Sequence, residues 1–274
     1  MTLELPPIVL VGGGRMGGAI LRGLAAAVPC KAYVVDPNVP EAPGATLVRD
    51  FDELPDLDEA VVLLAVKPQI VGDLLPRLKR FAQPRVLLIS IVAGLSLDNL
   101  RAALGDEVRA IRAMPNTPAG VLRGITGIYA PANIDATGRA RAETFLSAVG
   151  EVVWLDDEGG IDLITAISGS GPAYFFRFAE ALAAAGEALG LPAETAQKLA
   201  RRTLEGAGAL ADSTDRTLEE LRVEVTSPKG TTAAALQRFD EGGLQALVAK
   251  AAGAAADRAR ELNAEIASKL TQTR

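Results

Sequence analysis

The stretch Ile8-Val9-Leu10-Val11-Gly12-Gly13-Gly14-Arg15-Met16-Gly17 decides the fold, because an apolar strand-like run feeds a G-x-G-x-x-G turn and a helical pattern follows. Each glycine has a separate task. Gly12 permits the tight turn, Gly14 lets the backbone approach a pyrophosphate, and Gly17 lets the helix pack closely on the strand. The free N–H groups of the helix start then face the phosphates. A second strand, Lys31-Ala32-Tyr33-Val34-Val35, delivers Asp36 about 20 residues on, where an acid that binds a ribose is expected. A glycine turn alone reads equally well as a surface hairpin; strand, turn, helix, strand and acid together read as a dinucleotide site.

The chain has no histidine, which excludes imidazole acid–base chemistry and histidine-bearing zinc sites. Its single cysteine, Cys30, can form neither an internal disulfide nor a metal cluster and reads as a small buried hydrophobe, so no metal site is expected. The formal charge of −6 argues against nucleic acid as the main partner. Met1 to Pro7 does not read as a signal peptide. Apolar runs such as Ala60 to Val66 are strand-sized, far below the roughly 20 residues of a membrane span. No membrane association and a reducing, cytoplasmic setting are the expectations.

Strands read at Ala60–Val66, Arg85–Ile91 and Val108–Met114, with shorter ones near Ile125–Ala130 and Glu151–Leu155; helices fit near Ile70–Phe81, Leu97–Leu104 and Asp135–Val149. That alternation predicts a parallel α/β sheet. From Ile161 onward alanine-rich helical stretches run nearly to Arg274 without strand-like alternation. The expected organisation is therefore an α/β dinucleotide-binding domain over residues 1–157 and an all-α domain over 158–274. The helical part is poor in large aromatics and buries little apolar area per residue, a deficit that a partner subunit would repair.

Two segments of the helical part look chemical. Ser168-Gly169-Ser170-Gly171-Pro172-Ala173-Tyr174 places small residues before a helix, with an interhelical turn as the alternative. Thr226-Ser227-Pro228-Lys229-Gly230-Thr231-Thr232 crowds hydroxyls and a lysine at the start of a helix over Ala233–Phe239, which suits a small carboxylate. Together with Gly12 to Gly17, Ala65-Val66-Lys67-Pro68 and Met114-Pro115-Asn116-Thr117-Pro118, these segments occur in the order seen in pyrroline-5-carboxylate reductase, and the chain resembles that family from about residue 8 to about residue 263.

The resemblance implies a Rossmann-type NAD(P)-binding domain followed by an all-α dimerisation domain, and reduction of 1-pyrroline-5-carboxylate to L-proline by NADH or NADPH, the last step of proline biosynthesis. It places Thr232 beside the imine nitrogen, and Ser227 with the backbone near Gly230 and Thr231 around the substrate carboxylate. The cofactor would be held by Gly12, Gly13, Gly14, Arg15, Met16 and Gly17, by Asp36, by the loop Ala65, Val66, Lys67 and Pro68, and by Ala93 and Asn116. It also implies a homodimer or a multiple of dimers around a small-molecule substrate.

Bland alternatives stand beside these roles: a helix-capping threonine at 232, a solvated strand-end lysine at 67, and a solvated charge run at Asp156-Asp157-Glu158. The chain departs from the family pattern where Lys229 replaces a common glycine and Val223 a frequent acid. Asp36-Pro37-Asn38 also replaces the Ser or Asn followed by Arg of NADPH-preferring relatives. A carboxylate there accepts from both ribose hydroxyls and repels a 2′-phosphate, so NADH is slightly favoured. The competing functions are a non-catalytic nucleotide sensor or scaffold, and a reductase of a related cyclic imine. A hydroxyacid dehydrogenase needs a lysine between Ile161 and Leu191, where there is none.

Overall fold

The computed structural model describes residues 5–28 and 30–272; Met1 to Glu4, which begin the stretch that does not read as a signal peptide, and Pro29, Thr273 and Arg274 lie outside them. The order is β1 (Ile8–Val11), α1 (Arg15–Ala27), β2 (Ala32–Val35), β3 (Thr46–Val48), β4 (Ala60–Leu64), α2 (Pro68–Leu78), β5 (Val86–Ser90) and α3 (Leu97–Leu104). Then come β6 (Ala110–Met114), β7 (Gly124–Tyr129), α4 (Ala136–Ser147), β8 (Gly150–Trp154) and α5 (Gly160–Ile164). Helices follow: α6 (Gly171–Ala188), α7 (Ala193–Asp212), α8 (Leu218–Glu224), α9 (Thr231–Glu241) and α10 (Leu244–Gln272).

Among these residues the chain forms two compact units, one running to Ser170 and taking in the chain from Ala255 onward, the other Gly171–Ala254. The first is an eight-stranded sheet in the order β3-β2-β1-β4-β5-β6-β7-β8. The central strands are buried on both faces, which explains why their sequences are continuous Val, Ile and Leu runs. One apolar layer gathers Val9, Leu75, Leu88 and Leu100; the other gathers Leu10, Ile20, Ile89 and Phe145. The end of α10 belongs to the first layer through Ile266, and the Asn99 amide donates to Asn263 Oδ1 at 2.8 Å.

The sheet departs from the expected all-parallel pattern at one pair, since β7 runs antiparallel to β6 while β8 runs parallel to β7. The cause is the connection. Between Met114 and Gly124 a 3₁₀ turn (Thr117–Val121) replaces the crossover of a dozen or more residues that parallel neighbours need. β3 escaped the sequence reading because its three residues are too short for any alternation to register. Ala65 and Val66 lie past the end of β4, and the helix expected to reach Phe81 finishes in a 3₁₀ turn over Lys79–Phe81.

Ser168 to Tyr174 is neither a plain turn nor a loop before a helix. A π-helical turn, Thr165–Gly169, follows α5 and leads into α6, and the Ser168 hydroxyl donates back to the Ile164 carbonyl at 3.2 Å. Such π turns recur at functional positions.

In the second unit, the buried hydrophobic side chains among the described residues are Ala183, Ala196 and Ala200. Phe175, Phe176, Leu189 and Leu247 are exposed, Leu189 at 88%. Among the described residues no helix is long and apolar enough to cross a membrane.

Candidate active site

Gly12 sits at φ +98°, and a Cβ there would stand 2.8 Å from the Ala65 carbonyl oxygen and 3.0 Å from Val66 Cγ1. At Gly17 a Cβ would lie 2.3 Å from the Gly12 carbonyl oxygen. The same addition at Gly14 meets nothing within 4 Å, so that face of the turn is open. Gly14 is the N-cap of α1 and no side chain caps it, which leaves the helix start to an external anion. The geometry shows the tight turn at Gly12 and the close packing at Gly17, leaves Gly14 open, and closes Ala65 and Val66 against the turn.

Asp36 follows β2 and is drawn into the same turn. Its Oδ2 accepts from Gly13 N–H at 2.8 Å, and its Oδ1 accepts from Asn38 N–H at 2.8 Å and Val39 N–H at 3.3 Å. A cleft runs past it, lined by Gly12, Asp36, Asn38, Arg49, Val66 and Arg77 among others. It opens beyond the carboxyl ends of β1 and β2, where the strand order reverses about β1 and α/β sheets take ligands. The residues present fit a dinucleotide: an uncapped helix start, an open glycine face and an anchored acid on one crevice.

Ala93 and Asn116 follow β5 and β6, parallel to β1 and β4, and so share this carboxyl edge. The Asn116 side chain has a structural task, since its Oδ1 accepts from Ile125 N–H at 3.0 Å. Lys67 is exposed at the N-cap of α2, its side chain making no cap bond and Pro68 filling the first helical position. Arg15 is exposed and Met16 packs partly on the core.

Glu158 is not part of a solvated charge run. Its Oε1 accepts from Leu97 N–H at 2.7 Å, at the start of α3, and from the Arg112 guanidinium at 3.0 Å. Arg112 is 3% exposed in the middle of β6, and Asp162 lies 3.6 Å from its other terminal nitrogen. This buried network was not legible in sequence, because an arginine inside an apolar strand shows no partner until the fold supplies one. Cys30 is half-buried against the core, and burial raises its thiol pKa, the opposite of an activated nucleophile.

In the second unit, α9 begins at Thr231 with Gly230 as N-cap and no side-chain cap. A turn closes before it, where Gly230 N–H donates to the Ser227 carbonyl at 3.0 Å. A Cβ at Gly230 would stand 2.4 Å from Ser227 Oγ. Thr232 is half-buried one residue inside the helix, while Ser227 and Thr231 are exposed. The capping alternative for Thr232 therefore does not describe this helix start. Lys229 adopts φ +59°, a left-handed conformation that glycine takes at no cost.

Residues 158–262 match the sequence model of pyrroline-5-carboxylate reductase dimerisation, and residues 7–94 that of coenzyme F420-dependent NADP oxidoreductase. A pyrroline-5-carboxylate reductase of Pseudomonas aeruginosa is 41% identical over 269 residues, 95% of this chain and 98% of that one. The structure of a pyrroline-5-carboxylate reductase from Coxiella burnetii is similar at a TM-score of 0.85 and 38% identity, covering 93% of this chain and 97% of that one. A pyrroline carboxylate reductase of Plasmodium falciparum with NADP bound gives 0.82 at 28% identity, with 95% and 99% covered. Identity of that degree over nearly the whole length of both chains establishes that this chain belongs to the pyrroline-5-carboxylate reductase family.

Proposed function

We propose that this chain reduces 1-pyrroline-5-carboxylate to L-proline with NADH or NADPH, as a homodimer or a multiple of dimers in the cytoplasm. The observation that carries the reading is identity with pyrroline-5-carboxylate reductases over nearly the whole chain, and the glycine cradle, closed by Ala65 on one side and joined to Asp36 through the Gly13 N–H on the other, supports its cofactor half. A dinucleotide held by Gly12 to Gly17 and Asp36 would supply a hydride for the imine carbon, with the C=N electron pair passing to the protonated nitrogen. A protonated imine is already electrophilic, so no side chain has to donate a proton at the instant of transfer, which suits a chain without histidine. What the protein must do is hold and orient.

In this reading Gly12 to Gly17 and Asp36 hold the pyrophosphate and ribose, and Ala65 to Pro68, Ala93 and Asn116 follow the cofactor toward its nicotinamide end. The Thr232 hydroxyl accepts a hydrogen bond from the imine nitrogen. Ser227 and the backbone N–H groups near Gly230 and Thr231 take the substrate carboxylate, helped by the positive end of the α9 dipole. Residues 1–157 serve the nucleotide; residues 158–274 serve the substrate and subunit pairing. Because Asp36 occupies the ribose position, NADH is used at least as well as NADPH. Purified protein incubated with the imine and each reduced cofactor should consume the cofactor and yield proline. Loss of neither cofactor would leave a nucleotide-binding scaffold, and turnover of only a different cyclic imine would change the substrate.

A further inference from the structure

Asp36 is not the only charge facing the cleft beside the glycine turn. β3 runs parallel to β2 with Val35 opposite Val48, which brings the next residue, Arg49, alongside Asp36. Its Nη1 donates to the Val39 carbonyl at 2.6 Å and to the Asp36 carbonyl at 3.2 Å, so the guanidinium lies across the turn that presents the Asp36 carboxylate. Both acceptors are neutral, and both bonds come from one nitrogen. A guanidinium has five N–H donors, so most of its donor capacity and its whole charge stay available to an anion.

The neighbouring cleft charges are spent. Arg77 makes a bidentate pair with Asp50, lies 3.4 Å from Asp52, and stacks its guanidinium over the Phe51 ring at 5.0 Å. Asp36 already accepts from three backbone N–H groups, which blunts its repulsion of a further anion. A ribose held at Asp36 brings its 2′ substituent into this cleft, where an arginine nearby is what accommodates a phosphate.

Resting on the cofactor site proposed above, the geometry points to Arg49 as a specificity-determining residue: it receives the 2′-phosphate of NADPH, supplying from β3 the cation that the segment after β2 lacks. Asp36 and Arg49 then act as opposed halves of one selector. The acid, with one acceptor site left beyond its three backbone bonds, serves a ribose hydroxyl of NADH and the guanidinium opens the same cleft to NADPH, so the enzyme accepts both. Sequence position hid this residue, since it stands 13 places beyond Asp36 and reaches it only through strand pairing.

The test compares two probes that carry no nicotinamide, AMP and adenosine 2′,5′-bisphosphate, by calorimetry on the full chain. Loss of a guanidinium–phosphate contact in Arg49→Gln should weaken the bisphosphate by about tenfold or more and AMP by less than about twofold. Arg49→Lys, which keeps the charge but not the fork, should recover part of the difference. The ratio of kcat/KM for NADPH over NADH should fall in parallel in Arg49→Gln. Equal weakening of both probes would make Arg49 a support of the 36–39 turn only, and unchanged affinity for both would remove it from the site; either result overturns the inference and leaves the cofactor reading standing. Wild-type protein that binds neither probe would overturn the cofactor reading itself, and the inference with it.

Discussion

A hydroxyl placed one residue inside a helix whose N-cap is a glycine is free for other work, and that is the position of Thr232. Thr232→Val keeps the shape and removes the hydroxyl. If that group bonds the imine nitrogen in the transition state, the loss is roughly 1.5–3 kcal/mol, a fall of about 10- to 150-fold in kcat/KM. Initial rates and a melting curve on the same preparation check this: an unchanged rate with a lowered melting point would return Thr232 to a structural role. Asp36 offers a second check at the same scale. Asp36→Ser with Pro37→Arg should move preference toward NADPH, read as the ratio of kcat/KM for the two cofactors, and a wild type strongly selective for NADPH would show that Asp36 does not serve the ribose. Lys229, at φ +59°, accounts for the glycine that the family pattern carries there, since a side chain in that region is strained.

Among the elements, α3 and β6 are joined to the approach to α5 by one buried arginine. Arg112 bonds Glu158, which in turn accepts the first N–H of α3, and Asp162 lies beside the other terminal nitrogen. Removing the buried arginine takes the charge-assisted bond from a half-buried Glu158 and the cation from beside Asp162, so Arg112→Ala should cost about 1.5–3 kcal/mol in a denaturant titration. A cost under about 1 kcal/mol would mean that water replaces the guanidinium around both carboxylates without loss. The start of α4 is held differently, by Asp135 accepting from Gly138 N–H at 2.7 Å with Arg109 beside it. That N–H and the arginine lower the Asp135 pKa. A carboxylate depressed on folding contributes its full stability above its unfolded value, near 4, and loses it as pH falls through the lower folded value. Asp135→Ala should therefore cost about 1 kcal/mol near neutrality, and the difference from wild type should shrink below about pH 4. A difference independent of pH down to pH 2 would rule out the charged cap.

At the scale of the whole molecule, Gly171–Ala254 has alanines as its buried hydrophobic side chains while phenylalanines and leucines stand exposed, so this unit lacks an apolar core of its own. A second copy of the chain supplies the missing burial in the proposed assembly. Light scattering should give the mass of a dimer or a multiple of it, with activity falling on dilution into monomer; a stable, fully active monomer would contradict this. The alanine-rich composition announced that deficit in advance, and the Gly12–Gly17 turn with its flanking strands announced the nucleotide-binding architecture, because both are properties of consecutive residues. Residue order and local spacing alone determined the dinucleotide cradle, the change from sheet to helices, and the absence of imidazole chemistry. Tertiary structure alone decided the reversal at β7, the short strand β3, the partners of Arg112 and Glu158, and the placing of Arg49 beside Asp36. The physical reason is common to these: each depends on which strands pair or which charges meet across the fold, and pairing energies between residues distant in the chain leave no periodic trace in the sequence.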